Sequence, residues 1–263
     1  MIGKSTGRKL LLFALCLAAA AALLAPATTV RGRADSFEGR DLLSVARVAS
    51  GGAEFAGLQY VTAKASGFVN VASFAGVGAN PLGGAVEVKL NLTDYQDKQM
   101  RRRLEVAPAG ALITGPTYLV YTGTEGGGMF SGNPFRVTEA AASRHWAMMG
   151  FDTLNRAIEG QLASARQGDE GNAYVVEVRF TNSDTVRYWI NKQTFLVDRV
   201  VTRYNSKVMI EEERSDYRKV SCMMLPFHVV TRLRGQRLAD LNVESFDLKT
   251  EVPAARFTMT ATP

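Results

Sequence analysis

The residue types best suited to chemistry in this chain are a thiol, two thioethers and an imidazole that lie close together in the sequence. Residues 222–224, Cys-Met-Met, come shortly before His228, and sulfur and imidazole ligands suit copper. The intervening Leu225-Pro226-Phe227 predicts the start of a strand, where Cys and Met side chains mostly fill a core. We therefore predict that these residues pack, and that the chain holds no metal and no cofactor.

A second candidate is a run of acids, Glu211-Glu212-Glu213, followed by Asp216. Neighbouring residues of a strand point to opposite faces of a sheet, so the three glutamates cannot converge on one catalytic centre. The run predicts a solvated strand edge instead.

The triplet Arg187-Tyr188-Trp189 could stack against a ring-shaped ligand. On a strand, however, Tyr188 and Trp189 would cover opposite faces of the sheet, which is the simpler interpretation. Residues 28–263 also contain no Gly-x-Ser-x-Gly nucleophile motif, no His-Glu-x-x-His metal motif and no dinucleotide-binding glycine fingerprint. We predict a protein without catalytic residues.

The first residues have the pattern of a secretory signal. Three basic residues precede an apolar run, residues 10–24, and Ala25-Pro26-Ala27 supplies the small residues of a cleavage site. The run of about 15 residues is shorter than the roughly 20 that a membrane-spanning helix needs. We assign residues 1–27 to a cleaved signal peptide, with an uncleaved anchor as the alternative, and residues 28–40 to a flexible leader.

Composition limits the remaining function classes. Hydrophobic residues make up 46% of the chain and charged residues 21%, which is ordinary for a globular protein. Without residues 1–27 the chain carries 28 basic and 25 acidic residues, a net charge of +3. Weak charge and export together argue against nucleic acid as a partner, and Arg101-Arg102-Arg103 predicts a charged sheet edge. Cys222 is the single cysteine after residue 27, so no internal disulfide can form.

The last third of the chain, residues 173–250, predicts a meander of six antiparallel strands. Apolar and polar residues alternate in each segment, as in half-buried strands, and turn residues separate the segments. In the sixth segment the apolar phase changes between Val243 and Phe246, which predicts a bulge near Ser245.

The first half of the chain predicts one helix and four further strands. Asp41 is suited to cap an amphipathic helix that Gly51-Gly52 would end or kink. Alternating apolar residues then predict strands within residues 58–71, 86–92, 99–106 and 111–122.

The middle of the chain departs from this pattern. Residues 126–132 are rich in glycine and carry Met129 and Phe130, which predicts either a flap or an ordinary hairpin loop. A helical region, as one kinked helix or two, begins near Thr138 and continues from Asp152, with Leu154, Ile158 and Leu162 on one face. Residues 167–172 predict a polar linker back to the meander.

Several stretches resemble the bacterial outer-membrane lipoprotein-sorting proteins of the LolA/LolB-like fold. The stretches are Val186-Arg187-Tyr188-Trp189-Ile190, Phe195-Leu196-Val197, Asp216-Tyr217-Arg218-Lys219-Val220, Met224-Leu225-Pro226-Phe227 and Arg256-Phe257-Thr258-Met259. Residues 49–54 resemble the start of an uncharacterised exported branch of that group. The resemblance implies an α+β fold for residues 41–263: a curved antiparallel sheet, an unclosed half-barrel of about 10 strands, with helices covering its concave face.

The resemblance also implies a function. We expect a non-enzymatic periplasmic carrier, a transport chaperone of the lipoprotein-sorting type, that binds acyl chains of lipoproteins or other lipid in a hydrophobic cavity. It would act as a monomer between an inner-membrane donor protein and an outer-membrane acceptor protein. The alternative is an envelope sensor or interaction module that uses the same half-barrel to bind a membrane-anchored protein, and a third hypothesis is an enzyme acting on bound lipid.

The candidate site residues follow from this interpretation. Residues predicted to line the cavity are Val176, Val178, Phe180, Tyr188, Trp189, Val229 and Leu233. Residues predicted to form a movable lid are Gly127, Met129, Phe130, Leu154 and Ile158. Carriers of this type depend on a basic residue that tethers the lid, and the sequence does not identify that residue.

Overall fold

A computed structural model describes most of the chain from residue 39 onward. The described residues are 39–70, 87–107, 113–137, 140–151, 153–158, 162–180, 184–204 and 207–259. The predicted signal peptide, residues 28–38 of the predicted leader and the glycine-rich residues 76–84 lie outside them. Gly39 and Arg40, the last two residues of the predicted leader, belong to the first helix.

Within these ranges the chain forms thirteen strands, four α-helices and one 3-10 helix. The helices are α1 Gly39–Ser50, α2 Gly52–Gly57, α3 Ala140–Met148 and α4 Thr153–Ile158, and the 3-10 helix is Ala254–Phe257. The strands of the first half are β1 Tyr60–Asn70, β2 Glu87–Asp97, β3 Arg102–Val106, β4 Thr117–Tyr121, β5 Gly126–Phe130 and β6 Asn133–Arg136. Those of the second half are β7 Leu162–Glu170, β8 Ala173–Phe180, β9 Thr185–Asn191, β10 Val197–Tyr204, β11 Lys207–Val220, β12 Met223–Leu233 and β13 Gln236–Asp247.

All thirteen strands belong to one antiparallel sheet. Its order is β6-β5-β4-β3-β2-β1-β13-β12-β11-β10-β9-β8-β7, so each strand follows its sequence neighbour except where β1 pairs with β13. The predicted six-strand meander is confirmed as β8–β13. The predicted bulge is confirmed as well, because Lys64 pairs with Ser245 and Ala65 with Val243, which leaves Glu244 as the extra residue.

The sheet is strongly curved. Helix α3 contacts β4 and β5 on one side and β10 and β11 on the other. In a flat sheet, β4 and β11 would lie six strand spacings apart, about 29 Å at roughly 4.8 Å each. A nine-residue helix is only about 13 Å long. A single short helix can contact both groups of strands only if the sheet is curved.

The glycine-rich segment was predicted as a loop or flap, and the structure corrects this: residues 126–130 form β5, paired with β4 and β6. The glycines are needed for close packing rather than for mobility. A Cβ at Gly126 would collide with Ser143 of α3, and a Cβ at Gly128 would overlap the carbonyl group of Tyr118 on β4. Side chains at these two positions would separate the strand from its neighbours.

The middle of the chain holds a second correction. Leu162 lies in β7 and not on a helix, and the predicted polar linker is largely the rest of that strand, paired with β8. Strand β7 is the last of the sheet, and an edge strand needs little apolar character. Together with β5 and β6, it raises the number of strands above the predicted ten.

The first helix is confirmed. Leu42, Leu43 and Ala46 of α1 are fully buried, as an amphipathic helix packed on a sheet requires. Gly51 has φ +135°, a value that breaks the helix before α2 begins. Asp41 lies in the first turn of α1 rather than at its cap.

Candidate functional site

A cavity lies between the sheet and the helices. Its volume is about 180 Å³. Alternate residues of β1, Val61, Ala63 and Ala65, form part of its sheet side, because every second residue of a strand faces the same way. Trp146 and Leu154 contribute from the helical region. Most of the lining is apolar, as in sites that take up hydrocarbon groups.

An ion pair interrupts this apolar lining. Arg102 Nε donates to both carboxylate oxygens of Asp94 at 3.1 Å, and Arg102 Nη2 donates to Asp94 Oδ2 at 2.7 Å. Only 12% of the Arg102 side chain and 14% of the Asp94 side chain are exposed. The remaining nitrogen, Arg102 Nη1, donates to the carbonyl oxygen of Trp146 at 2.8 Å, and the guanidinium lies 4.7 Å from the centre of the Trp146 ring.

A second ion pair repeats this arrangement from the other half of the sheet. Arg214 Nε donates to Glu212 Oε1 at 2.6 Å, and Arg214 Nη2 donates to the carbonyl oxygen of Met149 at 3.0 Å. Both Glu212 and Arg214 line the cavity. Each arginine is therefore neutralised by a neighbouring carboxylate and bound to a backbone carbonyl of the helical region.

A third side chain completes the attachment. Gln96 Nε2 donates to Asp94 Oδ2 at 2.7 Å, and Gln96 Oε1 accepts a hydrogen bond from the backbone N–H of Phe151 at 2.9 Å. Three strands, β2, β3 and β11, thus hold residues 146–151, which we call the α3–α4 junction.

The electrostatics keep both arginines charged. Burial lowers the pKa of Arg102, but the charge and hydrogen bonds of Asp94 more than offset it, so the pKa lies above its ordinary value. The same holds for Arg214, where Glu212 outweighs burial. Since each guanidinium faces its own carboxylate, the four charges sum to zero.

Tyr217 also lines the cavity. Its hydroxyl donates to the carbonyl oxygen of Val197 at 2.5 Å. Burial raises the pKa of the phenol far above its ordinary value. Tyr217 therefore stays neutral at physiological pH.

The residues predicted to line the cavity are distributed as follows. Tyr188 and Val229 line it. Val176, Val178 and Phe180 of β8 are buried but lie outside its described lining, although Val176 pairs with Tyr188 and shares its face.

Trp189 and Leu233 also lie outside the described lining. Trp189 follows Tyr188 on β9 and so points to the opposite face, where its indole N–H donates to Glu170 Oε2 at 2.8 Å. Tyr188 and Trp189 therefore cover the two faces of the sheet, as the sequence predicted. Leu233 ends β12 and is half-buried.

The predicted lid residues lie in two elements. Leu154 of α4 lines the cavity, and Ile158 of the same helix is half-buried. Gly127, Met129 and Phe130 belong to β5, outside the described lining. A lid function for these residues stays a prediction.

The polar residues of the cavity were not identified from the sequence. Two sequence interpretations are wrong: residues 101–103 and 211–213 are not solvated sheet edges, because β3 and β11 are interior strands. Arg102 and Glu212 point into the cavity, while Glu211 and Glu213 bind Arg232. One signal was available in the sequence. Asp94 and Gln96 follow Leu90 and Leu92 at every second position of β2, so all four side chains lie on the same face of the sheet.

The Cys–Met–His group does not converge on a site. Met223 is buried and Cys222 is exposed in the turn before β12. No group of three or more potential metal ligands occurs in the part of the chain that the structure describes.

His228 instead belongs to a Ser–His–Asp arrangement. His228 Nδ1 lies 2.9 Å from Ser215 Oγ, and Nε2 lies 2.9 Å from Asp240 Oδ1. The three residues sit on adjacent strands, next to Val229 and Leu241, which line the cavity, so they point to the other face. The geometry favours a cross-strand hydrogen-bond network.

None of the helices within the described ranges is long and apolar enough to cross a membrane.

Comparison with known structures identifies the fold. A LolA superfamily protein from Nitrosomonas europaea matches with a TM-score of 0.50 and 11% identity, over 85% of this chain and 98% of that one. A DUF1329 family protein from Desulfovibrio piger matches with a TM-score of 0.47 and 11% identity, over 84% and 95%. An outer membrane lipoprotein-sorting type domain from Vibrio parahaemolyticus matches with a TM-score of 0.46 and 10% identity, over 83% and 95%. No family model and no curated protein matches the chain by sequence. The predicted LolA-like fold is confirmed by the first of these likenesses.

Proposed function

We propose that this chain, which has the LolA-like fold, is a non-enzymatic periplasmic carrier that shelters acyl chains of lipoproteins or other lipid. In this proposal the helices cover the concave face of the sheet, and the acyl chains occupy the space between them. The observation that carries the proposal is an apolar cavity whose helical side is attached to the sheet by a few side-chain hydrogen bonds.

The size of the cavity favours a closed state that must open to load. A cavity of about 180 Å³ compares with roughly 300–1,000 Å³ for sites that enclose drug-sized ligands, and an engineered cavity of about 150 Å³ holds a benzene molecule. A short hydrocarbon segment fits, but a whole acyl chain does not. In this proposal the α3–α4 junction moves away from the sheet when a whole chain is loaded.

The attachment of the junction suits such a movement. Arg102, Arg214 and Gln96 each make one hydrogen bond to its backbone. Each bond contributes only about 0.5–3 kcal/mol net. Transfer of one chain of about 16 carbons into an apolar site supplies on the order of 10 kcal/mol before ordering costs. Binding of the chain can therefore offset the loss of all three bonds.

The proposal is tested by asking whether the protein carries lipid when purified. We expect organic extracts of detergent-free protein to contain lipid by mass spectrometry, and an environment-sensitive fluorescent fatty acid to bind the delipidated protein. Ala65→Trp, which fills the cavity from β1, should abolish most of that binding. Lys64→Trp places the same side chain on the exposed neighbouring position and should bind normally.

Two results would count against a carrier. Absence of lipid in the extract together with no fluorescent binding would reject it, and recovery of a membrane-anchored protein instead would favour the sensor or interaction module. Equal binding by the two tryptophan variants would place the fatty acid outside the cavity.

A further inference from the structure

We infer that the sheet face opposite the cavity docks onto membrane surfaces that carry anionic phospholipid, through two arginines that flank a threonine on three adjacent strands. The arginines are Arg179 of β8 and Arg203 of β10, and the threonine is Thr185 of β9. This inference goes beyond the proposed carrier function and does not depend on it. The observation behind it is a row of positions across the sheet that holds two arginines and no acidic residue.

The first step is the register of the strands. Thr185 pairs with Arg179 on one side and with Arg203 on the other. Thr185 and Trp189 lie at alternating positions of β9, so Thr185 also points away from the cavity that Tyr188 lines. Residues paired directly across a sheet share a face, so both arginines point the same way. The complete row, from β7 to β11, is Ser164, Arg179, Thr185, Arg203 and Val208.

The second step is the charge of this row. The two acids of the neighbouring row are already bound by other arginines. Glu177 accepts hydrogen bonds from Arg187 at 3.1 and 2.5 Å, and Glu211 lies 2.8 Å from Arg199. That row holds two arginines and two glutamates, so the two rows together carry two positive charges. Its members are Arg166, Glu177, Arg187, Val201 and Glu211.

The third step concerns the hydrogen bonds that the row can still make. Arg203 is half-buried, and its Nε has no hydrogen-bond partner within the described part of the chain. A buried N–H donor without an acceptor is costly. Turning the guanidinium outward to a phosphate supplies the acceptor, because a guanidinium binds phosphate through two parallel N–H bonds. Arg179 is exposed, and the Thr185 hydroxyl adds a donor between the two arginines.

The fourth step distinguishes a membrane surface from a dissolved anion. Strands two places apart in a sheet are separated by about 10 Å, so Arg179 and Arg203 can each bind a phosphate of their own. Arg179 is exposed, and an exposed ion pair with one dissolved anion contributes little in water. An anionic bilayer presents many phosphates in one plane, and each basic residue near it strengthens binding about fivefold. The row therefore fits neighbouring lipid headgroups better than a soluble phosphate.

The experiment measures binding of the exported protein to lipid vesicles by flotation. One set of vesicles contains equal parts of phosphatidylglycerol and phosphatidylcholine, and the other contains phosphatidylcholine alone. The neutral vesicles measure any binding that does not depend on charge, including that of an uncleaved signal. We expect a partition coefficient about 25-fold higher for the anionic vesicles at low salt, from two arginines at about fivefold each. The difference should decrease as sodium chloride is added, because salt screens exposed charges.

Matched variants connect this binding to the row. Arg179→Gln/Arg203→Gln should remove most of the difference between the two kinds of vesicle. The control Arg136→Gln/Arg218→Gln also removes two positive charges, from exposed arginines that each bind a carboxylate, and should keep most of it. Ala65→Trp, which fills the cavity, should bind anionic vesicles like the unmodified protein. Circular dichroism verifies folding, and the single variant Arg179→Gln, with an expected loss of about fivefold, replaces the double variant if that one does not fold.

Four outcomes overturn the inference, and each leaves the carrier function to its own test. Equal partition into the two kinds of vesicle at low salt shows that the protein does not recognise anionic lipid. Equal losses in the two double variants show an effect of net charge and not of the row. Loss of vesicle binding in Ala65→Trp shows that vesicles are bound through the cavity. Binding of glycerol phosphate or of an acidic peptide without binding of vesicles assigns the arginines to a soluble partner.

Discussion

Replacing Arg102 by methionine while Asp94 stays in place should destabilise the folded protein strongly. The substitution removes three donor contacts to the carboxylate, at 3.1, 3.1 and 2.7 Å, and one to the Trp146 carbonyl. Asp94 would keep Gln96 as a hydrogen-bond donor but would have lost the cation that balances its charge. The methionine side chain keeps most of the volume, so the effect reports charge and hydrogen bonding rather than a void.

The expected magnitude follows from burial. Both side chains are less than one-sixth exposed, so the small values measured for surface ion pairs do not apply. Removing one partner of a buried pair costs about 3–5 kcal/mol, whereas replacing both partners by apolar residues is often neutral or stabilising. We therefore expect Asp94→Leu/Arg102→Met to lie within about 1 kcal/mol of the unmodified protein, although it contains one more substitution.

The assay is urea denaturation of the unmodified protein, both single variants and the double variant, followed by tryptophan fluorescence and circular dichroism. If the slopes agree, differences in midpoint convert directly into free energies of unfolding, and the four proteins form a double-mutant cycle. A loss below about 1 kcal/mol for Arg102→Met would show that water solvates the pair. A double variant as unstable as either single one would show that the arginine stabilises the fold through something other than Asp94.

Three further expectations concern other parts of the molecule. Gly128→Ala should lower the free energy of unfolding, measured by urea denaturation, by about 1–3 kcal/mol, because its Cβ would overlap a β4 carbonyl. The control Gly168→Ala, with open space around its Cβ, should change the free energy of unfolding by less than about 0.5 kcal/mol. Ile113→Ala should lower the free energy of unfolding by about 2–5 kcal/mol, since the side chain is only 1% exposed in the apolar cluster of β1–β3 and β13. A smaller loss would mean that neighbouring side chains fill the cavity that the substitution leaves. Burial raises the pKa of Tyr217, so the neutral phenol stabilises the fold below pH about 10, and this stabilisation decreases as the pH rises further. The free energy of unfolding of the unmodified protein should therefore exceed that of Tyr217→Phe by less at pH 11 than at pH 8. A difference between the two proteins that does not change with pH would contradict this.

Strand patterns made much of the fold predictable. Alternation in residues 173–250 predicted β8–β13 because each of these strands has one apolar face. The change of phase near Ser245 revealed the bulge for the same reason. Strands β5, β6 and β7 were missed. Glycines that admit a neighbouring carbonyl dominate β5, and polar residues at the sheet edge dominate β7.

The cavity could not be predicted in full because its polar residues look like surface residues in the sequence. Arg102 stands between two other arginines, and Glu212 between two other glutamates. Only tertiary pairing, with Asp94 from β2 and Arg214 on the same strand, distinguishes the inward residue of each triplet. The contacts of these arginines with Trp146 and Met149, 44 and 65 residues away in the chain, cannot be read from composition or periodicity.

The position of β1 has a consequence for how the chain acquires its structure. Thr62 of β1 pairs with Asp247 of β13. One side of β1 can therefore form its backbone hydrogen bonds only after almost the entire domain has been synthesised. Contacts of such long sequence separation slow folding, and an unpaired strand is a template for association with other chains. During synthesis the risk of association with other chains is therefore greatest at the edge of β1 that later pairs with β13.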